Sequence, residues 1–286
     1  IVAKNKNLCY DLVMKIMQFL INTGSNLGGV EQCAIDYSKL NNSSKKITID
    51  SIIPDRNTSY EDKIAGKLYK VNIKNKILLM LQIFKILYKK RPDYFIFHCS
   101  RMLRFVKILQ KLFRFQIVGV SHGFNLKKFA KYADLIFCIN TKQLKIIQDI
   151  AKNKAVLVPN YTYVNPDRDL AIKSNGKTVI GTLSRIDFEY KNLDKVVKAA
   201  RLLKEKGRDF VFHIGGDFGE IESLKKMVLE NNLEQNFVFK GLVVDKKQFF
   251  NEIDIFCMPS KNETFGISYI EAMAHKVPVI ATENDG

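Results

Sequence analysis

The stretch IDIFCMPSKNETFGISYIEAMAHKVPVIAT, residues 253–282, carries the reading of the fold. IDIFCMPS is a short apolar run, as is PVIAT, and each has the length of a buried strand. Between them, residues from about 265 to 275 carry apolar side chains at helical spacing. Strand, helix and strand in this order predict a parallel pair joined by a crossover helix. Two charges stand out in the unit, Glu263 and Glu271, because they bracket mostly apolar or small residues. A carboxylate is costly to bury without a partner.

The same alternation extends outward in both directions. In the C-terminal direction the chain stops at TENDG, just after a strand, where a doubly wound domain normally continues, so the second domain is expected to be incomplete. On the N-terminal side, TVIGTLS, FVFHIGG and FVFKGL read as strands, with helices near 192–206, 220–231 and 246–251. Residues 160–176 (NYTYVNPDRDLAIKSNG) concentrate Pro, Asn, Asp and Gly and read as a linker. Before it runs a second series. KIMQFLIN (15–22), KITIDSII (46–53), YFIFHC, QIVGVSH (116–122), DLIFCIN and KAVLVP (154–159) read as strands. GVEQCAIDYSKL, KILLMLQIFKILYKK and RMLRFVKILQKLFRF read as helices. Strands alternating with helices argue parallel sheets covered on both faces. The expected fold is therefore α/β, with two Rossmann-like doubly wound domains: an extension at 1–13, a first domain at 14–168 and a second at 169–286.

Composition narrows the class. The chain has 286 residues, 47% hydrophobic and 26% charged, in the range of globular proteins. Its longest apolar runs stop well short of the roughly 18 residues of a membrane span. The charged N-terminus, IVAKNKNLCYDLV, does not read as a secretory signal. Five scattered cysteines without a C-x-x-C pair predict reduced thiols in a cytoplasmic protein and no zinc site. The net charge of +17 is lopsided. Residues 1–168 hold 29 Lys/Arg against 11 Asp/Glu, and residues 169–286 hold 17 against 18. An acidic partner of the first half alone (nucleic acid, an anionic membrane or a phosphorylated substrate) would fit this asymmetry, as would compositional drift.

Several loops fall where ligands bind doubly wound sheets, at the carboxyl ends of the strands. GSNLGGVE (24–31) joins the first strand to the first helix, where glycine admits close backbone approach and a helix N-terminus favours anions. Its spacing is not G-x-G-x-x-G, which disfavours a nicotinamide-dependent dehydrogenase; a plain glycine turn is the other reading. In SRIDFEYKNLD (184–194), Arg185 and Lys191 could hold a diphosphate or be two solvated charges. If Glu263 and Glu271 share a helix, eight residues separate them by roughly 12 Å. That exceeds the roughly 5–9.5 Å of a glycosidase carboxylate pair and favours a long ligand touched at two places. The alternative is a helix-terminal charge plus an exposed mid-helix glutamate.

Taken together, GGVE, PDYFIFH (92–98), VSHG (120–123), ADLIFCINT (133–141), VPN (158–160), SRIDFEYKN, HIGGD (213–217), FVFKG (237–241) and PSKNETFGISYIEAMAHKVPVIAT resemble the retaining glycosyltransferases of family 4 (glycosyl transferases group 1) from about residue 15 onward. The two glutamates have the spacing of that family's E-x7-E motif. The resemblance implies a GT-B fold, two Rossmann-like domains facing a cleft, and transfer of a sugar from a nucleotide-sugar to a saccharide or lipid-linked acceptor with retention. It implies that Arg185 and Lys191 grip the donor diphosphate. Glu263 would meet the sugar, assisted by the backbone around Phe265, Gly266 and Ile267, and Glu271 the ribose. Gly28 and Gly29 would approach the phosphate or the acceptor, and His122 would lie near the reacting sugar. His98 is a second candidate; His213 and His275 read as structural. No metal and no cofactor is expected, since two cations already serve the diphosphate. Tyr161 and Tyr163 depart from the family's usual Gly and Asp after VPN. The family's C-terminal segment is missing from the pattern.

Two other functions remain consistent with the residues: a nucleotide-sugar epimerase of the same architecture, and a non-catalytic basic protein binding membrane or nucleic acid. Nucleic acid is not the expected partner. Arg101, Arg104, Lys107, Lys111 and Arg114 fall within about 140° of a helical wheel, on a helix otherwise largely apolar. With KILLMLQIFKILYKK this predicts a basic amphipathic surface for anionic lipid, and a peripheral membrane location. The alternative is that these apolar faces pack wholly on the sheet.

Overall fold

A computed structural model describes residues 13–20, 28–56, 58, 60–123, 126–162, 176–217 and 219–284. The chain divides into two compact units, Ile1–Tyr161 and Thr162–Gly286. The boundary expected at 168/169 and Tyr163 fall outside the described residues, as do Gly24 and residues 1–12 of the expected extension.

The first unit holds strands β1 (Met14–Phe19), β2 (Ile47–Pro54), β3 (Leu68–Val71), β4 (Tyr94–Phe97), β5 (Gln116–Ser121), β6 (Leu135–Cys138) and β7 (Ala155–Leu157). Its helices are α1 (Gly29–Ser38), α2 (Leu40–Ser43), α3 (Lys76–Lys90), α4 (Leu103–Phe113), α5 (Lys127–Tyr132) and α6 (Thr141–Ala151). The strands form one parallel sheet in the order β3-β2-β1-β4-β5-β6-β7. Strand order reverses between β1 and β4. Phe19, Phe95, Phe97 and Phe115 fill the core with edge and tilted ring contacts. Asn75 and Asn140 cap α3 and α6 by accepting from amides of the first turn.

The second unit repeats the plan with β8 (Thr178–Leu183), β9 (Phe210–Gly215), β10 (Phe237–Gly241), β11 (Ile255–Met258) and β12 (Val279–Ala281). Its helices are α7 (Leu193–Glu205), α8 (Ile221–Glu230), α9 (Lys246–Glu252) and α10 (Ile267–Ala274). The parallel sheet has the order β10-β9-β8-β11-β12, reversing between β8 and β11. The stretch that opened the sequence reading is β11, α10 and β12, with the parallel pairing expected of it.

The helix faces differ from the expectation in one respect. On α3, Leu79, Ile83 and Leu87 are buried against the sheet, yet Ile77, Leu81, Phe84 and Tyr88 form a second apolar stripe that is exposed. The spacing i, i+4, i+7, i+11 aligns the four on one side of the helix. On α4, Ile108 and Leu112 are likewise exposed, at 60% and 62%. Phe84 and Tyr88 reach α4 through Phe113, 5.4 and 6.5 Å between ring centroids. Packing on the sheet therefore accounts for only part of the apolar content of these helices. Lys107 does not join a free basic row: its Nζ pairs with Asp134 at 2.5 Å, while Arg101, Arg104, Lys111 and Arg114 are exposed.

Candidate active site

In the second unit the predicted residues gather at the carboxyl edge, where β8 and β11 part. Arg185 and Lys191 lie on the loop between β8 and α7, and Glu263 on the loop between β11 and α10. Asn192, in the left-handed region at φ 53°, turns the first loop into α7, and its side-chain amide donates to the Pro259 carbonyl at 2.9 Å. The amide of Lys261 donates back to the Tyr190 carbonyl at 2.8 Å. These bonds fasten one loop to the other and bring Lys191 Nζ onto Glu263 Oε2 as an ion pair, both side chains largely buried. Arg185 is placed differently. It is exposed and pairs with its near neighbour Asp187. Burial pushes the Asp187 carboxyl upward, but the Tyr190 amide and the Arg185 guanidinium overcome this and hold it below the usual range.

The α10 segment corrects two expectations. The helix begins at Ile267, so Glu263 precedes it and the axial rise estimated for a shared helix does not separate the two carboxylates. Gly266 is the N-cap, at φ 72°. A Cβ there would come within 2.2 Å of the Tyr269 ring, so only glycine fits without rearrangement. Lacking a side chain, Gly266 leaves the first-turn amides uncapped by its own residue. Glu271 is not exposed: it is 4% accessible and pairs with Lys246 Nζ of α9 at 2.6 Å. The face buried between the glutamates is that of Tyr269, with Ala272 beyond, whereas Ile267 and Ile270 are half-buried. His275 Nδ1 donates to the Glu271 carbonyl at 2.8 Å and its ring stacks on Phe250, a place that suits its structural reading.

The first unit presents its candidates at the matching edge, around the β1/β4 reversal. Gly28 and Gly29 are exposed at the start of α1, and the Gly28 amide donates to the buried Glu31 carboxylate at 3.1 Å. His98 follows β4 and His122 follows β5. Their rings stack, with His98 Nδ1 3.1 Å from His122 Nε2. His98 Nε2 lies 3.2 Å from Gln18 Oε1. Burial drives both imidazoles down, His122 to about 4 and His98 well below its ordinary value, the latter helped by the neighbouring His122. Both are neutral at physiological pH.

Sequence reading did not find Gln18 or Cys33. Cys33 Sγ and a nitrogen of each histidine lie within 4.8 Å of one another, donor types that zinc takes. Here, however, the thiol donates to Asn160 Oδ1 at 3.4 Å, and burial pushes its pKa up to about 12. The arrangement is that of a hydrogen-bonded cluster around a neutral thiol. Tyr161, the departure after VPN, stacks on Tyr37 and donates to the Asp36 carbonyl at 3.2 Å, which gives it a packing role.

Known proteins bear on the family and the fold. Residues 167–286 match the family described as Glycosyl transferases group 1, and the second unit is a domain of that family. The poly(ribitol-phosphate) alpha-N-acetylglucosaminyltransferase of Staphylococcus aureus is 24% identical over 248 residues, covering 79% of this chain and 49% of that protein. The 2-deoxystreptamine N-acetyl-D-glucosaminyltransferase of Niallia circulans is 27% identical over 221 residues, covering 73% of this chain and 56% of its own. The chain thus spans about half the length of the curated relatives it matches. Among solved structures, Anabaena HepE in complex with UDP and glucose superposes over 96% of this chain and 82% of its own, with a TM-score of 0.78 at 17% identity. The fold is the α/β, two-sheet GT-B fold.

Proposed function

We propose that the protein is a retaining, metal-independent glycosyltransferase that moves a sugar from a nucleotide-sugar to a saccharide or lipid-linked acceptor in the synthesis of cell-surface polysaccharide or glycolipid. The observation that carries this is the Lys191–Glu263 pair, which sets a cation and a carboxylate side by side at the β8/β11 reversal of a group 1 domain. Breaking the sugar–phosphate bond builds negative charge on the departing diphosphate and positive charge on the sugar. Lys191 exchanges its carboxylate partner for phosphate oxygens, and Arg185 adds a planar fork. Glu263, released, accepts from sugar hydroxyls, with the amides around Phe265, Gly266 and Ile267 beside it. Glu271, held by Lys246, accepts from ribose hydroxyls. Gly28 and Gly29 let backbone approach the phosphate or the acceptor. The acceptor hydroxyl attacks on the face the diphosphate leaves, giving retention.

The exposed stripe on α3 and α4, with Lys85, Lys89, Arg104 and Lys111 around it, supports peripheral docking on an anionic lipid surface at the cytoplasmic face of the membrane. Among the described residues no helix is long and apolar enough to cross a membrane.

The test is a panel of nucleotide-sugars, UDP-linked ones first, read by thermal shift and then by product analysis with and without EDTA. Donor-dependent stabilisation followed by sugar transfer is expected. Isomerised nucleotide-sugar would identify an epimerase, and no stabilisation by any donor a non-catalytic protein; loss of transfer on chelation would overturn the metal-free reading.

A further inference from the structure

The turn that carries Arg185 is held from outside its own loop. Past the end of β8 the chain runs on beside the segment that follows β9. The Ser184 amide donates to the Gly215 carbonyl at 3.0 Å, and Ile186 pairs with Gly219 as a parallel bridge. The Glu220 amide completes the contact by donating to the Ile186 carbonyl at 2.9 Å. Glycine is what permits this approach at 219. The residue stands at φ 91°, and a Cβ there would lie 2.0 Å from the Ile186 carbonyl oxygen. The stem of Arg185 crosses the same spot, its Cγ 3.6 Å from the place of that Cβ. Ile186 itself is buried in the core of the second unit, so the turn has a fixed foot.

Glu220 is the N-cap of α8, where a short polar side chain would accept from the first turn of its own helix. The longer glutamate makes no such bond. It reaches across instead, and its Oε2 accepts from the Phe188 amide at 2.8 Å. Two bonds of opposite sense therefore join Glu220 to the turn, one at Ile186 and one at Phe188. Asp187 lies between these two points. Its carboxylate accepts from the Tyr190 amide at 2.8 Å and pairs with the Arg185 guanidinium. The group to which Arg185 is tied is thus clamped on both sides by Glu220. A long cationic side chain loses rotamer freedom when it grips an anion, and a mounting that already limits its positions reduces that loss.

We propose that Glu220 is a positioning residue that fixes the turn at 186–188 and so presents Arg185 to a nucleoside diphosphate. The latch stands on bonds within the second unit; the diphosphate rests on the transferase reading above.

The experiment uses the whole chain. Amide exchange followed by proton–nitrogen NMR reports the latch without any ligand. The Phe188 amide is expected to exchange faster in Glu220→Ala and to keep its rate in Glu220→Gln, whose amide oxygen still accepts. Calorimetry with UDP against UMP, and GDP against GMP, reports the consequence. Glu220→Ala is expected to weaken the diphosphate about three- to tenfold, the range of one lost hydrogen bond, and the monophosphate less. Glu220→Gln recovers most of that loss, and Glu220→Ala adds little once Arg185→Ala is present, because the two act through one group. If Glu220→Ala does not fold, Glu220→Asp carries the same expectation: it keeps the charge at the start of α8 but is one methylene too short to reach Phe188. Unchanged exchange at Phe188 in the folded variant overturns the latch. Unchanged diphosphate affinity in a variant that has lost the latch overturns the positioning role. So does an equal loss for diphosphate and monophosphate, or an undiminished loss on top of Arg185→Ala. No binding of either nucleotide pair by the unaltered chain overturns the transferase reading and the diphosphate role with it, while the exchange result still decides the latch.

Discussion

Lys191 and Glu263, 72 residues apart in sequence, form a salt bridge between the loops that follow β8 and β11. In this pair each residue neutralises the other's charge. On the proposed reading, Lys191→Ala removes the cation that would meet the diphosphate and leaves Glu263 to repel it. We expect kcat to fall about 10²–10³-fold, the scale of losing one preorganised stabilising group, with the fold intact by circular dichroism. Arg185→Ala, whose residue is exposed and pairs locally with Asp187, is expected to cost less than Lys191→Ala. Steady-state kinetics of the two variants checks the order.

Gly266→Ala is expected to damage both stability and donor binding. At φ 72° a side chain is strained, and the added Cβ would overlap the Tyr269 ring, whose hydroxyl donates to the Met258 carbonyl at 2.8 Å. Relieving the overlap means moving the start of α10 or breaking that bond. A cost of about 1–3 kcal/mol follows, read from the denaturant midpoint, together with weaker nucleotide-sugar binding by calorimetry. A midpoint equal to that of the unaltered chain would show that the loop repacks freely.

The fold was legible where strands and helices are marked by long periodic runs. The strands read in the second half match β8 to β12, and its helices α7 to α10 differ only at their ends. β3 escaped notice because LYKV buries only Val71 fully and carries a lysine. The short α5 has six residues, too few for a periodic signal. Candidate residues on glycine-marked loops stand out for the same local reason, since Gly266 and the E-x7-E spacing are read within one segment. What the sequence could not show was pairing across distance: Glu263 with Lys191, Glu271 with Lys246, and Gln18 with His98. Gln18 sits among apolar neighbours in KIMQF, and nothing local distinguishes an amide that anchors a histidine from one at a strand edge.

Acid is expected to unfold the first unit through its histidines. Burial holds the folded pKa of His122 near 4 and drives that of His98 well below the ordinary histidine value, about 6.5 when unperturbed. Between pH 6.5 and 4 the unfolded chain binds protons that the folded chain excludes, so stability rises with pH across this window. The stabilisation is whole above about pH 6.5 and is lost progressively on acidification toward 4. Melting temperatures measured from pH 4 to 7 check this. His122→Asn should flatten the profile, and an equally steep profile in that variant would assign the acid sensitivity to other groups.

The last prediction concerns the α3–α4 surface. Ile77, Leu81 and Tyr88 are 72%, 61% and 62% exposed, an arrangement that costs solvation unless something covers it. The residues around it are cationic, so the covering surface that fits is both apolar and anionic. Each inserted Leu or Phe side chain contributes up to about 1.5–3 kcal/mol when fully buried, and each nearby Lys or Arg about 1 kcal/mol. The chain is expected to float with vesicles containing phosphatidylserine or phosphatidylglycerol and to remain behind with neutral phosphatidylcholine. Added salt should weaken the binding, because the electrostatic part is screened within a Debye length. Leu81→Ser with Phe84→Ser removes apolar contact without touching the buried face of Leu79, Ile83 and Leu87, so binding should drop at least about tenfold at unchanged melting temperature. Lys85→Glu with Lys111→Glu should abolish the preference for anionic lipid. Equal flotation with neutral and anionic vesicles would contradict a charge-selective surface. Self-association of the unaltered chain that the Ser variant loses would assign the stripe to a second protein copy rather than to lipid.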